Sequence, residues 1–269
     1  MADLQSGGDV SVSLQGVNKT FASGVVALDG FNLDLRPGEF VSLLGPSGCG
    51  KSTALRLIAG LMEPTRGTVS WSGSGKPGDR HGSGRHGEIG FVFQEPTLMP
   101  WATVAGNINL PLSLRRIDGG KATERVAAAL RQVGLDGFEL AYPRELSGGM
   151  KMRVSIARAL VTEPALLLMD EPFAALDEVT RFKLNDDLIA LWRAVKRTVV
   201  FVTHSVFESV YLSERIVVMT SRPGRVFTEF KTDAPYPRDR HFRTSADYAA
   251  LCRQVSEALA DATSKGAGA

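Results

Sequence analysis

Polar and apolar residues alternate along Val10-Ser-Val12-Ser-Leu14 and again along Phe31-Asn-Leu33-Asp-Leu35. Both stretches predict strands with one wet face. Arg36-Pro37-Gly38-Glu39 turns the chain, and Phe40-Val-Ser-Leu-Leu44 is nearly all apolar, as a strand buried on both faces would be. Thr53–Leu61 then takes helical spacing through Leu55, Ile58 and Leu61. Thr68–Trp71 and Ile89–Phe93 read as strands. The segment Ser72–Glu88 between them has too little apolar surface to pack and predicts a mobile surface loop.

From Thr103 to Leu160 the pattern is helical, with Val126, Ala129, Leu130 and Val133 on one stripe and Tyr142-Pro143 breaking the run. Strands and helices then alternate: Leu166–Met169 (strand), Val179–Val195 (helix), Thr198–Thr203 (strand), Val206–Leu212 (helix) and Ile216–Met219 (strand). Such alternation predicts parallel β/α units, hence one α/β core interrupted by a helical insertion at 95–160. Ser245–Ser264 places Tyr248, Leu251, Cys252, Val255 and Leu259 on one face, which suits a helix docked on the edge of the domain. The Gly-Ala-Gly-Ala end is expected to fray.

Composition narrows this little. The chain has 269 residues, 43% hydrophobic and 22% charged, enough for one large or two small cores. A net charge of +2 does not argue for nucleic acid. The start lacks the basic and apolar regions of a signal peptide. The longest apolar runs fall far short of the roughly 18 residues needed to span a bilayer. Any work at a membrane is therefore expected to go through a partner. Cys49 and Cys252 do not look like a disulfide pair, which favours a reducing cytoplasm. His81 and His86 have no accompanying cysteine or carboxylate cluster, so a metal site there is disfavoured.

The chemistry lies at the strand ends. Gly45-Pro46-Ser47-Gly48-Cys49-Gly50-Lys51-Ser52 joins a strand to a helix. Its glycines let backbone N–H groups wrap phosphates, Lys51 can reach the β- and γ-phosphates, and Ser52 can ligate Mg²⁺. Asp170 and Glu171 follow a buried strand, where ligands of open α/β sheets sit. Asp170 suits Mg²⁺ held through water, and Glu171 suits polarising an attacking water. Gln94 and His204 also end apolar strands, where a γ-phosphate and its Mg²⁺ can be sensed. Leu146-Ser147-Gly148-Gly149-Met150 opens a helix and makes a second anion-facing N-terminus; on spacing alone it reads better as a Ser-capped helix entered through a flexible Gly pair.

Taken in order, these motifs resemble those of the ATP-binding subunits of ABC transporters. Gly45–Ser52 is similar to their Walker A motif, Gln94 to the Q-loop, Leu146–Met150 to the signature and Leu166–Glu171 to Walker B with its catalytic glutamate. Ala175-Leu176-Asp177 resembles the D-loop and His204 the switch histidine. The resemblance covers residues 10–230. It implies a P-loop NTPase core with an antiparallel β subdomain and a helical insertion, preceded by a flexible 1–9 and followed by an extension at 231–269 with one helix and a frayed tail.

The resemblance also implies roles. ATP is bound by Phe21, stacked on adenine, and by the loop from Gly45 to Ser52 with Thr53. Mg²⁺ is held by Ser52, Gln94 and Asp170, and catalysis falls to Glu171, His204 and Gln94. Ser147, Gly148 and Gly149 complete the ATP site of a second subunit, so that a homodimer sandwiches two ATP. The expected partners are a membrane permease, docked through the surface around Pro96, Leu98, Pro100 and Trp101, and indirectly a solute-binding protein; no nucleic acid is expected. The expected location is the cytoplasmic face of the inner membrane. Met150 stands where the signature usually has Gln. With Leu98-Met-Pro-Trp101 and Thr203–Glu208, it resembles the nitrate/taurine/sulfonate branch of bacterial importers; a thiamine-precursor pyrimidine also stays open as cargo. The alternatives are a soluble ABC ATPase on DNA or ribosomes, which usually carries two cassettes or a long coiled coil, and a P-loop kinase, which leaves the signature without a purpose.

Overall fold

The computed structural model describes residues 11–72 and 89–266. The expected flexible start at 1–9, the loop at 73–88 with its two histidines, and the last residues of the tail lie outside the described residues. β1 (Ser11–Thr20), β2 (Val26–Leu35) and β4 (Arg66–Ser72) form an antiparallel sheet of order β2-β1-β4. A second sheet has the order β5-β6-β7-β3-β8-β9. It consists of β3 (Phe40–Leu44), β5 (Ile89–Val92), β6 (Leu166–Asp170), β7 (Thr198–Thr203), β8 (Arg215–Met219) and β9 (Val226–Lys231). Its pairs are parallel except that of β8 with β9.

The second sheet divides two cores, and alternate residues of each central strand supply them. Phe40, Leu44, Leu167, Met169, Val199 and Phe201 face one core. Val41, Leu43, Leu166, Leu168, Val200 and Val202 face the other. This is why the strands read as unbroken apolar runs. The second core is closed by α1 (Lys51–Ile58) and by Val12, Leu14, Phe31, Leu33 and Leu35 of the antiparallel sheet. The first core takes the helices α2 (Val104–Leu114), α3 (Gly119–Gln132), α4 (Gly148–Leu160), α5 (Glu178–Val195), α6 (Val206–Leu212) and α8 (Ala246–Gly266). Among the described residues no helix is long and apolar enough to cross a membrane.

Three local differences from the apolar pattern have clear causes. The first helix stops at Ile58 rather than Leu61. Gly60, at φ +69°, allows Leu61 N–H to donate to Arg56 O (2.9 Å) and its own N–H to Leu57 O (3.1 Å), a Schellman closure that leaves Leu61 exposed. β9 carries no strong apolar signal because its side chains are at most half-buried; pairing with β8 defines it. A four-residue helix, α7 (Arg240–Arg243), precedes α8 because the Asp239 carboxylate accepts from His241 N and Phe242 N. Arg238, just before it, is buried and donates to the carbonyls of Val210, Tyr211 and Ser213, tying this extension to the end of α6. Further on, Tyr248, Cys252 and Val255 of α8 are buried, so the expected docked face forms. Both cysteines are buried and free.

Asn107 of α2 is fully buried and organises the loop that carries Trp101. Its Oδ1 accepts from Met99 N (2.7 Å), and its Nδ2 donates to the carbonyls of Met99, Ala102 and Thr103 at 3.0–3.1 Å. Removing this side chain takes a hydrogen-bond partner from Met99 N and from three partly buried carbonyls. Asn107→Ala is expected to lose about 1–3 kcal/mol of stability. Thermal unfolding checks this, with a drop of roughly 2–10 °C for a chain of this size.

Candidate functional site

Four adjacent parallel strands end at one level. Leu44 of β3 lies opposite Thr203 of β7, Val202 of β7 opposite Asp170 of β6, and Met169 of β6 opposite Val92 of β5. The segments that follow are Gly45–Gly50, His204, Glu171 and Gln94. Residues scattered over more than a hundred positions are thus gathered along one edge of the sheet, where a parallel sheet presents a ligand crevice.

The loop after β3 curls tightly before α1 begins at Lys51. Gly50, at φ +105°, supplies the left-handed turn; a Cβ there would also stand 2.7 Å from the Ala27 carbonyl oxygen of β2. Cys49 is buried beneath the loop, and burial raises its thiol pKa above the ordinary value, as suits a cysteine that packs. Ser47 and Gly48 are exposed, and Thr53 is buried in the first turn of α1. The buried ammonium of Lys51 donates to Gly45 O at 2.7 Å and Pro46 O at 2.9 Å, and lies 3.5 Å from Glu171 Oε1.

Glu171 occupies the left-handed region at φ +47°, unusual for a residue with a side chain. The conformation costs roughly 1–2 kcal/mol. It is kept in place by Glu171 N donating to Val202 O (3.0 Å) and Ala174 N donating to Glu171 O (3.2 Å). The kink turns the carboxylate away from the strand line, between Lys51 and His204, whose Nδ1 is 2.9 Å from Glu171 Oε2. His204 itself is exposed, with about half of its side-chain surface open to solvent.

Asp170 is buried and accepts from Ser52 Oγ at 2.8 Å. Burial pushes its carboxyl above the usual aspartate range, and the Ser52 hydroxyl partly opposes that shift. A hydroxyl and a carboxylate side by side are hard oxygen donors, fitting a small divalent cation that shares its shell with phosphate and water. Among the described residues no group of three or more His, Cys, Asp or Glu could hold a metal by itself. Gln94 is exposed just past β5. Phe21, partly exposed, stands on the β1–β2 turn, with Lys19 Nζ 5.9 Å from its ring.

The residues at the start of α4 sit in other company. Ser147 caps the helix by accepting from Met150 N (3.3 Å), while Gly149 is buried so closely against α5 that a Cβ would stand 2.6 Å from Thr180 Cγ2. Gly148 is exposed beside Leu176. Asp177 caps α5 by accepting from Thr180 N (2.9 Å), and that hydrogen bond lowers its pKa. No hydrogen bond or ion pair joins Ser147, Gly148 or Gly149 to the group around Lys51 among the described residues.

Some participants are invisible in the motif pattern. Glu208 is buried and accepts from the Thr203 hydroxyl, which in turn accepts from Ser205 N (3.0 Å), so it braces the turn that bears His204. Its other oxygen lies 3.6 Å from Arg181 Nε, and Arg181 Nη2 donates to Leu176 O at 2.8 Å. This links the His204 turn to the segment before Asp177. Burial raises the Glu208 pKa. The run Thr203–Glu208 was readable, but its partner on α5 was not. A cavity of about 910 Å³ opens at the far end of the strands, lined by Arg36, Glu39, Lys196, Arg215 and Lys231, and none of the motif residues lines it.

The chain is similar to known proteins over most of its length. The ABC transporter family matches residues 28–174. An uncharacterised ABC transporter ATP-binding protein of Methanocaldococcus jannaschii is 46% identical over 255 residues, covering 94% of this chain and 92% of that protein. An aliphatic sulfonates import ATP-binding protein of Bacillus cereus is 42% identical over 251 residues, covering 91% and 94%. Among solved structures, a dimeric ATP-binding cassette in a post-hydrolysis state with ADP and Pi aligns with a TM-score of 0.72 and 36% identity, over 83% of this chain and all of that one. With the phosphate loop, the strand-end carboxylates and the helical insertion in this order, the chain belongs to the ABC transporter family, as one of its ATP-hydrolysing subunits.

Proposed function

We propose that this chain powers solute import by closing with a second copy around ATP at the cytoplasmic face of the inner membrane. A separate permease, fed by a solute-binding protein, would carry the cargo. The observation that carries the catalytic reading is the bonded series Lys51–Glu171–His204 beside Ser52–Asp170. In this reading the loop amides and Lys51 bind the β- and γ-phosphates, which compete with Gly45 O, Pro46 O and Glu171 for the ammonium. Glu171, released from Lys51, orients and polarises the attacking water, and His204 fixes the carboxylate. Ser52 and Asp170, with Gln94, would hold Mg²⁺, which supplies charge neutralisation on the phosphates. Phe21 offers a ring face to adenine.

The separation of Ser147–Gly149 from the Lys51 group supports their use by the partner's nucleotide, and Asp177 stands beside them at the start of α5. Of the cargoes open to the nitrate/taurine branch, a sulfonate is favoured by the likeness to aliphatic sulfonate import proteins. Trp101 is 76% exposed rather than packed within the insertion, which supports the surface around Pro96, Leu98 and Pro100 as the permease dock.

Glu171→Gln is expected to bind ATP normally while turnover falls roughly 10²- to 10⁴-fold, the usual weight of a general base. ATP-dependent dimers should then accumulate on size-exclusion chromatography; unimpaired phosphate release by this variant would remove Glu171 from its role. Because the Asp170 pKa is raised, its carboxylate takes up a proton at a higher pH than an ordinary aspartate does, and Mg²⁺ needs the ionised form. The Mg²⁺ enhancement of ATP binding should therefore weaken as pH falls through that raised value and be absent in Asp170→Asn, as titration calorimetry would read. Affinity purification from membranes should recover an integral-membrane subunit, whereas stable recovery of ribosomes or DNA would favour the soluble alternative.

A further inference from the structure

The turn between β8 and β9 presses on the outside of the phosphate loop. Arg222, an exposed residue, donates from Nε to the Gly48 carbonyl at 3.0 Å, across 174 positions of sequence. Gly224 is buried so close to the loop that a Cβ there would stand 2.1 Å from the Cys49 carbonyl oxygen. The turn cannot slide away, because it is held on both sides. Gly224 N donates to Ala27 O (2.9 Å), Asp29 N donates to Gly224 O (3.2 Å), and Arg225 pairs with Asp29, all on β2. Opposite, Ser221 Oγ donates to Thr263 O (3.2 Å) of α8.

The carbonyl and N–H of a trans peptide point in opposite directions. Arg222 Nε on the Gly48 carbonyl (3.0 Å) and the Cys49 N–H donating to Pro46 O (3.3 Å) therefore hold the Gly48–Cys49 peptide from its two ends. Gly48, at φ +76°, has no side chain of its own to add to these two bonds. Phosphate loops bind through their backbone N–H groups, whose value depends on the loop being held in shape before the ligand arrives.

We propose that the Ser221–Gly224 turn is a clamp on the phosphate loop, with Arg222 as a positioning residue that aims the loop amides at the nucleotide phosphates. The inference rests on the ATP-binding reading of Gly45–Ser52. Arg222 acts through the Gly48 carbonyl, so the hydrogen bond from Nε matters and the guanidinium charge is secondary.

The test is calorimetric titration of full-length wild type, Arg222→Ala, Arg222→Gln and Lys51→Ala with MgATP, alongside thermal unfolding without nucleotide. The glutamine amide nitrogen falls at the place of Arg Nε, so it keeps the donor and drops the charge. Arg222→Ala should weaken ATP binding about three- to tenfold, the weight of one hydrogen bond, and Arg222→Gln should stay within about twofold of wild type. The unfolding temperature should change by less than about 2 °C in both variants. Wild-type affinity in Arg222→Ala overturns the clamp, as does Arg222→Gln falling with Arg222→Ala, or an unfolding temperature that drops with the affinity. If Lys51→Ala loses binding while Arg222→Ala does not, only the clamp fails. Undiminished binding in Lys51→Ala overturns the ATP reading, and the clamp with it.

Discussion

Everything at the site depends on four parallel strands ending level with one another. The register that pairs Leu44 with Thr203, and Asp170 with Val202, decides which residues leave the sheet at the same height. That register is in turn enforced from both sides. A slip of one residue in β3, β6 or β7 would exchange the side chains of two cores, putting Phe201 where Val200 and Val202 now pack. Burial on both faces is thus what aligns a lysine, two carboxylates and a histidine that are far apart in the chain.

On that edge, the chain accepts local cost for placement. Glu171 adopts a left-handed backbone that a side chain disfavours, and the result is a carboxylate turned to meet both Lys51 and His204. Asp170 and Glu208 are buried carboxylates with raised pKa values, each offset by a hydroxyl, Ser52 for one and Thr203 for the other. The outer wall of the phosphate loop is completed by Arg222 and Gly224, and the His204 turn is braced from α5 by Arg181. Side chains that never need to touch nucleotide therefore govern the posture of those that would.

Much of this was legible in the order of residues. Unbroken apolar runs marked β3, β6 and β7 because a strand buried on two faces cannot alternate, and the stripe Val126–Val133 marked α3 because one face of a helix is buried. Glycine spacing marked the phosphate loop because close backbone approach admits no side chain. Less was legible where an element is defined by its partner. β9 is only half-buried and exists by pairing with β8, and the first helix ends three residues early because Gly60 closes it through the backbone. Asn107 looks like an ordinary polar residue in an apolar helix; only the fold shows it satisfying a loop from inside the core.

By itself, then, the sequence determined which chemical groups would stand at strand ends and which segments would be strand or helix, since periodicity and glycine spacing are local properties. It also carried the kinship with the ABC transporter family in the order of its motifs. Only the tertiary structure decided which ends are neighbours, because strand order β5-β6-β7-β3-β8-β9 follows from crossovers and shared cores rather than from any local preference. The same holds for Lys51 against Glu171, for Arg181 against Glu208 and for Arg222 on the back of the phosphate loop. Each is a contact between distant segments, and its energy exists only once two packed faces have brought them together.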